Sequence, residues 1–389
     1  MNEMRHDWLS DRWVIYAPNR TTRPDDYDRE IHLEPESHLR CPFCIGSEEE
    51  TPQATLVLPQ ADRESTRSNR QSDLAHFPRS DWLVRVVPNK FPAVTAGDPN
   101  KAWPDVEPSR RREACCHEPA QPADSVSESL FLRRQTSGAH EVIIETPQHV
   151  SSITRLPVDH VALILEAYRQ RLVYWRAHAE MKYAVIFKNY GADAGATLVH
   201  SHSQLIGTNF VPTDVQRVHR RLASYYRTHH QCYWCDLLEQ ELACGERTIT
   251  SSEHFVAICP FASRFPFSVS VLPRRHRSSF EECSQEEIAD FSQVVLQVLK
   301  AIEAEHPRCA YNYVLQTSPF DCCDLDACHW RFKIIPRLNK VAGFEWSSDC
   351  FINTVFPETA AQALRTRIGR PLPSHSPACP SPSPVTRKS

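Results

Sequence analysis

An internal repeat limits what this chain can fold into more than any other feature. A strand-like run from Glu141 to Glu145 is followed by His149, and then by Val161, Leu165, Tyr168, Leu172 and Trp175 at helical spacing. A second strand-like run, Tyr183 to Asn189, leads into His200-Ser-His-Ser-Gln. The same order returns later: a strand from Phe267 to Leu272, then His276, then a helix opened by the capping pair Ser284 and Glu287. That helix carries Ile288, Phe291, Val295 and Ile302 on one side, and a strand near Tyr311 to Gln316 precedes His329-Trp-Arg-Phe-Lys. Each half holds a Cys-x-x-Cys pair near its start, Cys41 with Cys44 and Cys232 with Cys235. Two such strand, helix and strand units predict one continuous or face-to-face sheet, with halves at 1–215 and 216–368.

The remaining text fits around that frame. Asp11-Arg-Trp-Val-Ile-Tyr-Ala-Pro reads as a strand running into a loop with Arg20 and Arg23, and Trp82-Leu-Val-Arg-Val-Val as a strand leading to Asn89. Residues 60–80 and 96–136 lack apolar periodicity and read as loops or disordered insertions, and 369–389 as a disordered tail. Lys and Arg (44) nearly balance Asp and Glu (48), which argues against a nucleic-acid or anionic-membrane partner. No apolar run is long enough to span a bilayer, and the opening Met1-Asn-Glu-Met-Arg-His-Asp lacks the plan of a signal peptide. The cytoplasm is the expected location.

Fifteen cysteines without an export signal point to metal rather than to a disulfide framework. A Cys-x-x-Cys turn presents two thiolates, so zinc needs two more ligands to close a tetrahedron. For Cys41 and Cys44 the candidates are His140 and His200; for Cys232 and Cys235 they are His254 and His329. Spacing alone does not prove either set. Cys115-Cys116-His117 reads as incidental, and so do Cys322, Cys323 and Cys328, although their closeness to His329 leaves other ligand sets open. Closed four-ligand sites would serve stability rather than chemistry.

Asn189-Tyr-Gly-Ala-Asp-Ala-Gly-Ala-Thr-Leu-Val-His200-Ser-His202-Ser-Gln204 is the most informative run. A strand ends, a Gly-containing loop follows, and alternate residues His200, His202 and Gln204 then share one face. Loop N–H groups can approach phosphate oxygens, and a neutral imidazole offers phosphorus a lone pair. In the second half His329, Arg331 and Lys333 share the corresponding face, so that half has lost the nucleophile and serves structure or binds phosphate.

From about residue 5 to 368 the chain resembles the galactose-1-phosphate uridylyltransferase family, a branch of the histidine-triad superfamily. The resemblance implies an α+β fold of duplicated histidine-triad-like units, a mostly antiparallel sheet with helices packed on it, and two structural zinc sites. It implies that His200 binds zinc, that His202 is the covalent nucleophile and that Gln204 holds the phosphoryl oxygens. Asn89, Asn189, Gly195 and Thr197 match the family's nucleotide contacts, Arg20 and Arg23 its arginine pair, and Glu345 its hexose contact. A homodimer is implied as well. Ser201, Ser203 and Thr197 depart from the best-known branch, as does the second site with Cys232 and Cys235; these features resemble the ADP-glucose phosphorylase group, with its His-Ser-His-Ser-Gln. The expected partners are a nucleotide sugar and a hexose 1-phosphate or phosphate. The expected reaction is transfer of UMP from UDP-glucose to galactose 1-phosphate. The alternatives are ADP-glucose phosphorolysis, hydrolysis of the histidine intermediate by water, and a zinc-stabilised nucleic-acid or interaction module without catalysis.

Overall fold

A computed structural model describes residues 2–22, 41–59, 82–95 and 137–369. The expected loops at 60–80 and 96–136, Arg23, Cys115, Cys116, His117 and the tail lie outside the described residues. The chain opens with β1 (Glu3–Asp7) and β2 (Arg12–Tyr16). The first half continues with β3 (Leu56–Pro59), β4 (Trp82–Pro88), β5 (Gly138–Ile144), α1 (Val158–Arg176), β6 (Tyr183–Tyr190) and β7 (His202–Thr208). After α2 (Thr213–His229) and α3 (Tyr233–Cys244), the second half runs through β8 (Thr248–Ser251), β9 (Phe255–Ile258), β10 (Val269–Pro273), α4 (Gln285–Glu305), β11 (Tyr311–Gln316) and β12 (Arg331–Pro336). It ends with α5 (Gly343–Ser348), β13 (Phe351–Asn353) and α6 (Pro357–Ile368).

The repeat folds into one continuous ten-stranded sheet of order β3-β4-β5-β7-β6-β11-β12-β10-β9-β8, antiparallel at every pairing. Read from either edge inward, the order is the same: β3-β4-β5-β7-β6 is matched by β8-β9-β10-β12-β11. The two halves meet where β6 pairs with β11, Asn189 opposite Asn312. The N-terminal segment does not stay with the first half. β2 pairs in parallel with β13, and Arg5 bonds Glu358 and the Phe261 carbonyl, so residues 3–16 lie against the second half.

Strand alternation gives the sheet two faces. Ile143, Ala184, Ile186, Leu205, Tyr313, Phe332 and Ile334 point to one face and meet α1, α4 and α6, whose apolar sides close the main core. All the helical positions expected from periodicity, from Val161 to Trp175 and from Ile288 to Ile302, are buried there. Ser284 and Glu287 close their capping box at the start of α4. On the opposite face, each Cys-x-x-Cys turn packs an aromatic ring against the sheet. Phe43 meets Val142 and Ile144; Trp234 meets Val256, Ile258 and Leu272.

A polar network is sealed within the helix-covered core, at the seam between halves. Lys188 of β6 and Glu145, just past β5, form an ion pair with 1% and 0% of their side chains exposed. Lys188 Nζ also donates to Ser201 Oγ (2.9 Å) and to the His202 carbonyl (3.0 Å). The Glu145 carboxylate accepts from Ser201 Oγ (2.6 Å), Tyr168 Oη of α1 (3.1 Å) and Tyr313 Oη of β11 (3.0 Å). Burial alone would raise the Glu145 pKa, but Lys188 and the hydroxyl donors outweigh it and hold the carboxyl below its usual range.

Removing one partner of such a pair leaves the other charge buried alone. Lys188→Met should therefore destabilise the protein by about 3–5 kcal/mol in denaturant unfolding. The double variant Lys188→Met, Glu145→Gln should recover much of that loss, because glutamine still accepts from the two tyrosines. Equal midpoints for the single and double variants would count against an ionised pair.

Candidate active site and metal centres

His200 and His202 stand two residues apart, yet hydrogen bonds give their rings opposite tautomers. His200 Nε2 lies 2.8 Å from the Thr146 carbonyl and donates to it, which leaves Nδ1 with its lone pair. That Nδ1 faces Cys41 Sγ and Cys44 Sγ, each at 3.5 Å. His202 does the reverse: Nδ1 lies 2.7 Å from the His200 carbonyl and donates to it, so Nε2 keeps the free lone pair. His202 packs edge-on to Phe43 and is 8% exposed. Burial lowers the His202 pKa, and the Lys188 cation lowers it further, so the imidazole is neutral near pH 7. A neutral, oriented and slightly exposed imidazole is what nucleophilic attack requires.

Gln204 is aimed by His140. His140 was an expected ligand of the first metal, but the antiparallel register of β5 and β7 pairs it with Ile206, well past His200. It lies beside Gln204 instead. The Ala93 N–H donates to His140 Nδ1 (3.0 Å), which makes Nε2 the donor to Gln204 Oε1 (2.8 Å). With its carbonyl engaged, the Gln204 amide presents its NH2 group outward. Asn89 also contacts His140 Nε2, at 3.0 Å.

The loop after β6 supplies the rest of the cradle. Gly191 has φ +80°, and a Cβ there would sit 2.9 Å from the Ala310 Cβ, so glycine is required twice over. Gly195 has φ +86° and caps the short turn Ala192–Ala194, with Thr197 exposed beyond it. Asn312 of β11 pins this loop by donating to Asn189 Oδ1 (2.8 Å) and to the Ala194 carbonyl (2.9 Å). The second half thus braces the loop of the first, a role that no motif in the sequence announced.

The first metal cluster is Cys41, Cys44, His149 and His200, with His149 in the place expected for His140. His149 Nδ1 is 3.4 Å from Cys44 Sγ. The second cluster is Cys232, Cys235, His276 and His329, with His276 in the place expected for His254. The His276 and His329 Nδ1 atoms lie 3.7–3.9 Å from the two sulfurs, while their Nε2 atoms face the carbonyls of Leu325 and Pro273. His254 sits in the turn before β9, where its N–H donates to Asp290. A tetrahedral zinc with sulfur and nitrogen ligands has S···N edges of about 3.6 Å, so both donor sets suit that ion in chemistry and size. The carbonyl partners fix the tautomers that metal binding needs. His219, Cys322 and Cys328 form a third, three-donor group.

The signal for His149 and His276 was present in the repeat itself. Each follows the first strand of its unit, β5 or β10, and equivalent places in a duplicated fold take equivalent ligands. Arg20 is exposed on the turn Pro18–Thr22, and Glu345 accepts from the Ala342 N–H at the start of α5. On β12, Arg331 and Lys333 occupy the places of His202 and Gln204.

This architecture and its histidine strand have relatives. A family model described as "Domain of unknown function (DUF4921)" matches residues 134–372. The chain is 30% identical to an ADP-glucose phosphorylase of Arabidopsis thaliana over 93% of its length and 92% of that protein's. It is 27% identical to a galactose-1-phosphate uridylyltransferase of Thermotoga maritima, over 94% and 98%. The crystal structure of the Arabidopsis thaliana ADP-glucose phosphorylase with bound ADP-glucose superposes with a TM-score of 0.72, 28% identity, and coverage of 94% and 98%. The chain belongs to the galactose-1-phosphate uridylyltransferase family of nucleotidyltransferases, to which it is joined by the ADP-glucose phosphorylase branch.

The two histidine assignments separate cleanly in experiment. His149→Ala should lower bound zinc, measured by atomic absorption, by about one ion per chain. His140→Ala should leave metal content unchanged and lower kcat, because Gln204 loses its fixed orientation. Zinc loss from His140→Ala would reverse the assignment.

Proposed function

We propose that this protein moves a nucleoside monophosphate from a nucleotide sugar to a phosphate-bearing acceptor through a covalent bond to His202 Nε2. The orientation of His202, with Nδ1–H held by the His200 carbonyl and Nε2 free, carries this reading. Nε2 attacks the α-phosphorus in line, a phosphorus–nitrogen bond forms, and the hexose 1-phosphate leaves with the electrons of the broken P–O bond. An acceptor phosphate oxygen then attacks the same phosphorus and returns the imidazole to its neutral form. The Gln204 amide and the loop N–H groups near Gly195 and Thr197 stabilise the phosphoryl oxygens without reorganising.

UMP transfer between UDP-glucose and galactose 1-phosphate is the main reading, supported by the uridylyltransferases among the relatives. Phosphorolysis of ADP-glucose is the second. It is favoured by Ser201, Ser203 and Thr197 and by the 30% identity to a phosphorylase. Zinc in the two four-donor clusters would act in structure, since four protein ligands leave no open position for water. The protein would work in the cytoplasm as a homodimer. No described helix is long and apolar enough to cross a membrane, and the exposed Arg20 is free to approach a partner subunit's site.

Incubation with labelled UDP-glucose and ADP-glucose in turn, followed by denaturation, should leave one nucleotide on the wild-type chain and none on His202→Asn. Retention of label by that variant would overturn the assignment. The reactive form is the neutral imidazole, and its folded pKa lies below the usual 6.5. Transfer should therefore persist as pH falls past 6.5 and be lost only as pH drops through that depressed pKa. An acid limb of kcat/KM at or above pH 6.5 would contradict it.

A further inference from the structure

A cavity of about 270 Å³ opens in the second half, on the sheet face that carries His202 in the first. It lies over β12, in the place that β7 gives to catalysis, and its walls include Arg331 and Lys333 together with Arg264, Tyr183 and Trp234. The Arg331 guanidinium lies 4.7 Å from the Trp234 ring centroid, and its Nε donates to Gln316 Oε1 (2.9 Å). Arg264 stacks 5.1 Å from the Phe351 ring. Lys333 has no hydrogen-bond partner among the described residues.

Asp7, Asp214 and Glu241 also line the cavity; the last two are paired with arginines, whereas Asp7 meets only neutral donors and faces Arg264, Arg331 and Lys333 from beyond 4.0 Å. Asp214 pairs with Arg12 and Arg217, Glu241 pairs with Arg247, and Asp7 accepts from Ser10 and from the Leu9 N–H. Arg264, Arg331 and Lys333 form no ion pair within 4.0 Å among the described residues. Clustered cations taken partly out of water are unfavourable unless an anion joins them. A guanidinium and an ammonium also differ from the groups that they replace. Neither offers a free lone pair to phosphorus, but both bind phosphate oxygens well.

We propose that this cavity is a second, non-catalytic site for a phosphate-ester anion, held by Arg264, Arg331 and Lys333 where the first half holds its transferring phosphoryl group. The duplication kept phosphate recognition in both halves and kept the nucleophile in one. Aromatic walls and a volume of about 270 Å³ suit a phosphate attached to a small organic group. The site stands independently of which nucleotide His202 carries.

Thermal unfolding of the full chain, with inorganic phosphate as the probe and chloride at matched ionic strength as the control, tests this. Phosphate should raise the wild-type Tm by roughly 2–5 °C at saturation. Lys333→Met should raise Tm in phosphate-free buffer, because it removes an unpaired cation, and should lose most of the phosphate increment. Arg264→Met provides a second variant with the same expectation. Gln204→Ala, which alters the first-half cradle, should keep the increment. Nucleotide-sugar turnover, read separately, should be unchanged in Lys333→Met. The proposal is overturned if phosphate does no more than chloride, if Lys333→Met and Arg264→Met keep the full increment, or if Gln204→Ala abolishes it.

Discussion

The buried Lys188–Glu145 pair ties the chemistry to the fold. It sits on the helix-covered side of the sheet, directly behind the strand that carries His202 on the other side. Its partners come from α1, β6, β11 and the segment before β7, so the network spans both halves. A buried ion pair adds little net stability compared with an apolar core, but it tolerates few alternative arrangements. Here it holds the His202 carbonyl, while burial, with a smaller push from the Lys188 cation, keeps the imidazole unprotonated.

Backbone carbonyls do the next part of the work. One strand presents His200 and His202 two residues apart, and each ring gives its proton to a carbonyl through a different nitrogen. The same residue type therefore turns Nδ1 toward two cysteine sulfurs at one position and leaves Nε2 free at the next. The second half repeats the first arrangement, with His329 bonded to the Pro273 carbonyl, and replaces the second with Arg331. The two Cys-x-x-Cys turns also press Phe43 and Trp234 onto the sheet, beside each four-donor cluster.

The two halves have diverged on a shared frame. In the first, Gly191, Gly195 and Asn312 shape the loop that follows β6, beside the neutral His202 imidazole. In the second, the equivalent face opens into a cavity lined by Arg264, Arg331 and Lys333 and also by Asp7, Asp214 and Glu241, with residues of the N-terminal strands in its wall.

The sequence by itself determined the repeat, the helices, the Cys-x-x-Cys turns and the histidine strand, because each rests on local periodicity or short spacing. Val161 to Trp175 and Ile288 to Ile302 could be placed on buried helix faces since helix geometry is set within a few turns. Tertiary structure alone decided which distant side chains meet. His140 and His149 are equally plausible ligands as text, and only the β5–β7 register carries the first to Gln204 and leaves the second beside Cys44. His254 and His276 divide in the same way. The Lys188–Glu145 pair and the Asn312 brace join residues 43 and 123 positions apart, and no local pattern encodes a contact made by strand pairing across the whole sheet.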